Sequence, residues 1–82
     1  MHMSFGAFRQ QVERLVGSDY ARFLKKPAKG QADLALLCFT LREPPTAMAD
    51  RFSQTVQKSK DYDLIGTISV EGQYINFFIK HD

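Results

Sequence analysis

Residues 64–80 read Leu64-Ile65-Gly66-Thr67-Ile68-Ser69-Val70-Glu71-Gly72-Gln73-Tyr74-Ile75-Asn76-Phe77-Phe78-Ile79-Lys80. The large side chains alternate on either side of Glu71-Gly72-Gln73, which is the period of two strands joined by a tight turn. In the second arm, from Tyr74 to Lys80, Ile75, Phe77 and Ile79 point one way and Tyr74, Asn76, Phe78 and Lys80 the other. Three large apolar groups require a covered face, so the sheet must carry helices on that side. In the first arm the same alternation groups Leu64, Gly66, Ile68 and Val70 on one face. Ile65, Thr67, Ser69 and Glu71 fall on the other.

Upstream of this hairpin the period becomes helical. Phe5, Phe8, Val12, Leu15 and Val16 form one stripe, opposed by Arg9, Gln10, Glu13 and Arg14. Ser4 is placed to cap this helix, and Gly17 to end it. Pro44-Pro45 suits a helix start, and a helix reaching about Lys58 would bury Met48, Ala49, Phe52 and Val56. Between these two, Asp33 reads as the N-cap of another helix with Leu34, Leu37, Cys38 and Leu41 at i, i+3, i+4, i+7. Tyr20, Phe23 and Leu24 suggest a short extended segment, closed by Lys26-Pro27, and residues 27–31 read as a loop. The expected fold class is α+β: two layers, with helices packed on one face of a small antiparallel sheet that ends in a C-terminal hairpin.

Eighty-two residues suffice for one domain, spanning 1–82, and 44% hydrophobic with 24% charged residues is an ordinary globular composition. Met1-His2-Met3 has the form of a start codon and cloning remnant before a second methionine. No apolar run reaches the ~18 residues of a membrane span, and no secretory leader is visible. One cysteine and two histidines at distant positions make neither a disulfide nor a metal site, and no cofactor is expected. The lone thiol fits a cytoplasmic setting.

A net charge of +2 is too small to diagnose a polyanion partner, but its distribution is uneven. Arg22, Lys25, Lys26 and Lys29 lie within eight residues uninterrupted by acid. They form either a solvated loop or a phosphate-facing edge. The outward set of the last strand is also unusual, because a solvent face normally carries threonine, lysine or glutamate. Tyr74 and Phe78 could stack on unpaired bases, Asn76 offers a donor and an acceptor to a base edge, and Lys80 could meet a phosphate. Equally, the two rings could be cross-strand packing partners, or the face could lie under another segment.

The segment Gly72-Gln73-Tyr74-Ile75-Asn76-Phe77-Phe78-Ile79 resembles the signature that closes the N-terminal additional domain of arginyl-tRNA synthetases: glycine, any residue, aromatic, aliphatic, asparagine, phenylalanine. Residues 32–39 resemble that family's glycine–aspartate helix start, with Ala32 in place of the glycine. Pro44-Pro45 followed by Met48-Ala49-Asp50 is similar to its proline and aliphatic–alanine–acidic third helix. In order and spacing the likeness covers about residues 5–80. It implies a non-catalytic domain that contacts the D-loop at the outer corner of tRNA, tRNA-Arg above all, beside a synthetase catalytic core. The family's base-contacting aromatic and asparagine correspond to Tyr74 and Asn76. Strand geometry adds Gln73 and Phe78, and charge adds Lys80, Lys25, Lys26 and Lys29. The class I catalytic signatures are absent from the sequence, and Lys58-Ser59-Lys60 reads as a charged helix end. No nucleophile–base pair is visible, so the chain is not expected to be an enzyme. A protein-interaction or dimerisation module, docking through the outer face of the last strand, is the alternative.

Overall fold

The computed structural model describes residues 5–27, 32–38 and 41–80. Helix α1 spans Phe5–Val16 and α2 spans Ser18–Ala21. Strand β1 (Leu24–Lys25), strand β2 (Leu34–Leu37) and helix α3 (Pro45–Lys58) follow. A 3-10 turn at Lys60–Tyr62 leads into β3 (Ile65–Glu71) and β4 (Tyr74–Ile79). The four strands form one sheet in the order β1-β2-β4-β3, with every neighbouring pair antiparallel. Since β2 and β3 each run against β4, they are parallel to one another. The unit β2–α3–β3 is thus a split β-α-β crossover whose gap is filled by β4.

Both long helices follow their sequence periods. Phe8, Val12 and Val16 of α1 and Met48, Ala49 and Phe52 of α3 are buried. They meet Leu24, Leu34, Leu36, Ile65, Ile75 and Phe77 of the sheet in a single core. Phe77 is fully buried, its ring centroid 6.2 Å from that of Phe52. Burying a side chain of this size is worth about 1.5–3 kcal/mol. Gly17 ends α1 with φ 92° and ψ 158°, a backbone state essentially closed to other residues. It allows α2 to start immediately. Ser4 lies outside the described residues.

Tyr20, expected in an extended segment with Phe23 and Leu24, lies in α2, where the Gly17 carbonyl accepts from the Tyr20 and Ala21 amides, and only Leu24–Lys25 is strand. Two further expectations from the sequence are corrected. The helix expected from Asp33 is instead the strand β2. Leu34 and Leu36 face the core, while Ala35 and Leu37 lie on the opposite side, each registered against β4 as Leu34↔Phe77, Ala35↔Asn76, Leu36↔Ile75 and Leu37↔Tyr74. A short, wholly apolar run fits either period, and pairing with β4 decides it. Asp33 caps no helix. Its carboxylate accepts from the Ile79 amide at 2.7 Å, and its own amide donates to the Phe77 carbonyl at 3.1 Å.

The last correction is in β3. A register shift between Ile65 and Thr67 puts Ile65, 3% exposed, on the core face with Ile68 and Val70, and leaves Gly66 exposed. The irregularity depends on glycine: a Cβ at Gly66 would lie 2.9 Å from the Lys80 Cα and 3.2 Å from its nitrogen. The hairpin turn has positive φ at Gly72 (61°) but not at Gln73, the pattern of a two-residue type II′ connection. Gln11 locks α1 to the start of β3, donating to Asp63 and accepting from the Leu64 amide, both at 2.9 Å.

Candidate nucleic-acid interface

β4 is central, so its inward residues are sealed and its outward residues stand in the middle of the sheet. Ile75 and Phe77 belong to the core, whereas Tyr74, Asn76 and Phe78 pack outside it. Pairing extends this outer face sideways: Leu37 and Ala35 on β2, Lys25 on β1, and Thr67, Ser69 and Glu71 on β3. Leu37, Tyr74 and Phe78 are half-buried, and Lys25 and Thr67 are exposed.

Asn76 sits at the centre between the small neighbours Ala35 and Ser69. It is only 5% exposed although it points away from the core. Its amide makes no side-chain hydrogen bond with another described residue, yet no described side-chain N or O is both sealed from solvent and unpartnered. The amide therefore retains some solvent contact, with donor and acceptor unclaimed by a described residue. Unpaired, nearly buried amides are uncommon, since each unmet hydrogen bond costs about 1–3 kcal/mol when fully desolvated.

Lys25 reaches across β2 to place its ammonium 5.6 Å from the Tyr74 ring centroid, within cation–π range. A lysine from the basic segment and the aromatic of the last strand thus belong to one surface. The neighbouring Lys26 does not join them. Its ammonium lies 5.2 Å from the ring of Phe5 on α1, because successive residues of an extended segment point to opposite faces. The basic cluster is split by strand alternation, which could have been read from Lys25-Lys26 once the segment was taken as extended.

The remaining sequence-derived residues fall at the ends of the face. Gln73 is exposed in the hairpin turn, where its carbonyl accepts from the Cys38 amide at 2.8 Å. Lys80 is exposed at the far end, lining an open depression of about 560 Å³ with Gly66, Thr67, Phe78 and Ile79. Lys29 lies outside the described residues. Leu37 and Ala35 were not legible as parts of this surface, because only the pairing of β2 with β4 brings them there; Ser69 was, from the alternation of the hairpin's first arm.

Cys38 is buried at the end of β2, and burial raises its thiol above the ordinary value, partly offset by a backbone hydrogen bond from Ile75. It is a packed thiol rather than an activated one. No group of three or more metal-binding side chains occurs among the described residues, and none of their helices is long and apolar enough to cross a membrane. No family model matches the chain, and neither the curated proteins nor the solved structures yield a match.

Proposed function

We propose that the outer sheet face is an RNA-binding surface and that the chain is a non-catalytic accessory module for tRNA. In this reading it resembles the N-terminal additional domain of arginyl-tRNA synthetases, acts in the cytoplasm beside a synthetase core, and contacts an exposed nucleotide of the D-loop. One observation carries it: Tyr74 and Asn76 share the uncommitted face of the central strand, with the Lys25 ammonium 5.6 Å from the phenol ring. The ring supplies a stacking plane, the unclaimed amide an edge to read, and the lysine a charge for the adjoining phosphate. At the other end of the strand Phe78 and Lys80 line one open depression, which offers a second ring and a second charge.

Stacking on one aromatic is worth about 1–3 kcal/mol, so the isolated module binds weakly and in a salt-dependent way. Titration of tRNA at low salt tests the reading. Tyr74→Ala should weaken binding about 5- to 150-fold, and Tyr74→Phe should retain it. Tyr74→Ala and Asn76→Ala curves indistinguishable from wild type would remove the base contact.

A second reading rests on Leu37, Tyr74 and Phe78, three half-buried apolar side chains outside the core on one face. They would suit self-association or docking on a protein. A concentration-dependent dimer in sedimentation analysis, dissociated by Phe78→Lys, would favour it over RNA.

A further inference from the structure

A second basic surface lies away from the outer sheet face, where α1 meets α2. The positive-φ turn at Gly17 folds α2 back beside α1 and leaves a shallow, open groove of about 810 Å³ between them. Its lining includes Arg9, Glu13, Arg14, Gly17, Ser18 and Arg22. Glu13 is the only acid among its described lining residues, and that carboxylate is already engaged by Arg9 at 3.1 Å. Arg14 and Arg22 are exposed and form no ion pair with a described residue. The guanidinium of Arg22 lies 5.1 Å from the Phe23 ring centroid, within cation–π range, and is committed to no carboxylate of a described residue. Charge along the chain is asymmetric in the same sense. Residues 5–27 carry five cations and two acids, whereas residues 43–71 carry three cations and five acids.

We infer that this groove binds backbone phosphate of a polynucleotide, with Arg14 and Arg22 as the principal contacts. Guanidinium suits the task because its planar fork of donors matches phosphate oxygens, and two such groups lining one concavity can grip adjacent phosphates. The RNA assignment rests on the function proposed above, whereas the phosphate chemistry does not. Arg22 precedes β1 by two residues and Lys25 lies on β1, so a strand gripped in the groove can pass the two-residue edge strand to reach the Tyr74 face. The groove adds affinity without reading sequence, and the sheet face supplies the base contact.

Two labelled probes separate these roles: inorganic polyphosphate, which has no bases, and a single-stranded oligoribonucleotide. Fluorescence anisotropy would follow the binding of each to the wild-type chain, an Arg14→Gln/Arg22→Gln variant, Tyr74→Ala, and Arg51→Gln as a control cation outside the groove. Unchanged circular dichroism would establish that each variant folds. The arginine variant should bind polyphosphate at least about fivefold more weakly, while Tyr74→Ala and Arg51→Gln bind it as wild type does. For the oligoribonucleotide, the slope of log affinity against log salt should fall by about 1.4 in the arginine variant, at roughly 0.7 for each phosphate of a single strand that is no longer neutralised. Failure of wild type to bind polyphosphate, or equal binding by the arginine variant, overturns the groove. Arginine-dependent polyphosphate binding together with oligoribonucleotide binding indifferent to Tyr74→Ala upholds the groove and removes the base-reading face instead.

Discussion

The two faces of β4 carry adjacent residues under opposite constraints. Ile75 and Phe77 are fully buried against the helices, while Tyr74 and Phe78 are half-buried on a face where no described helix packs. Both faces are rich in large apolar groups, so composition does not distinguish them. Commitment does: Ile75 and Phe77 are surrounded by packed neighbours, whereas the outward rings keep exposed surface and the Asn76 amide, though nearly buried, keeps hydrogen-bonding capacity to spare.

Substitution at adjacent positions should expose this difference most strongly. Phe77→Ala removes a sealed ring between α3 and the sheet and should cost about 3–5 kcal/mol, enough to unfold much of a domain whose total stability is on the order of 5 kcal/mol. Phe78→Ala, one residue on, should cost about 1 kcal/mol, since its ring keeps much of its hydration when folded. Urea denaturation measures both, and equal losses would mean that the outer face is a second core.

A smaller effect is expected where the faces are reset. Gly66→Ala forces a Cβ to 2.9 Å from the Lys80 Cα, and backbone cannot rotate aside as a side chain can. The expected cost is about 1–3 kcal/mol, with altered chemical shifts at Phe78 and Lys80. A neutral result would show that the bulge relaxes without glycine.

The smallest effect concerns Cys38. Burial raises the folded thiol above its ordinary value of 9.0, so over the range between the two values the folded state holds a proton that the unfolded chain has released. Stability is therefore fully present below about pH 9 and falls as pH rises towards the folded value. Urea midpoints measured on either side of pH 9 should show a steeper decline for wild type than for Cys38→Ala. Parallel declines would mean that the thiol is solvated.

How much of this was legible in the sequence depended on how far away the deciding partner lies. The helices α1 and α3 and the hairpin were readable because their patterns are local: Phe8, Val12 and Val16 recur at 3.6, and Ile75, Phe77 and Ile79 at 2. β2 was not. Leu34, Leu37, Cys38 and Leu41 satisfy a helical stripe as well as Leu34 and Leu36 satisfy a strand, and the choice is made by residues 74–77, some forty positions later. Gly66 concealed the register shift, since a glycine marks a possible bulge without saying which neighbour it turns inward. For the outer face, Tyr74, Asn76 and Phe78 were correctly grouped by period alone. That Lys25 and Lys26 part company follows from alternation in an extended segment; that Lys25 is the one to join the face follows only from where β1 pairs. The arginine groove was less visible still, because Arg9 and Arg14 look like the ordinary wet side of a helix until α2 folds back beside them.

The split crossover has a consequence for how the chain is made. β4 fills the slot between β2 and β3, yet it leaves the ribosome after both of them. Until Tyr74–Ile79 emerges, the nascent polypeptide can form α1 and α3 but has nothing to bridge Leu34 and Leu36 to Ile68 and Val70. These side chains and the open backbone of two strands then remain available to chaperones or to wrong partners. Acquisition of the native structure is thus deferred until β4 has been translated, and premature termination before Tyr74 would release a chain with helices but no sheet to close.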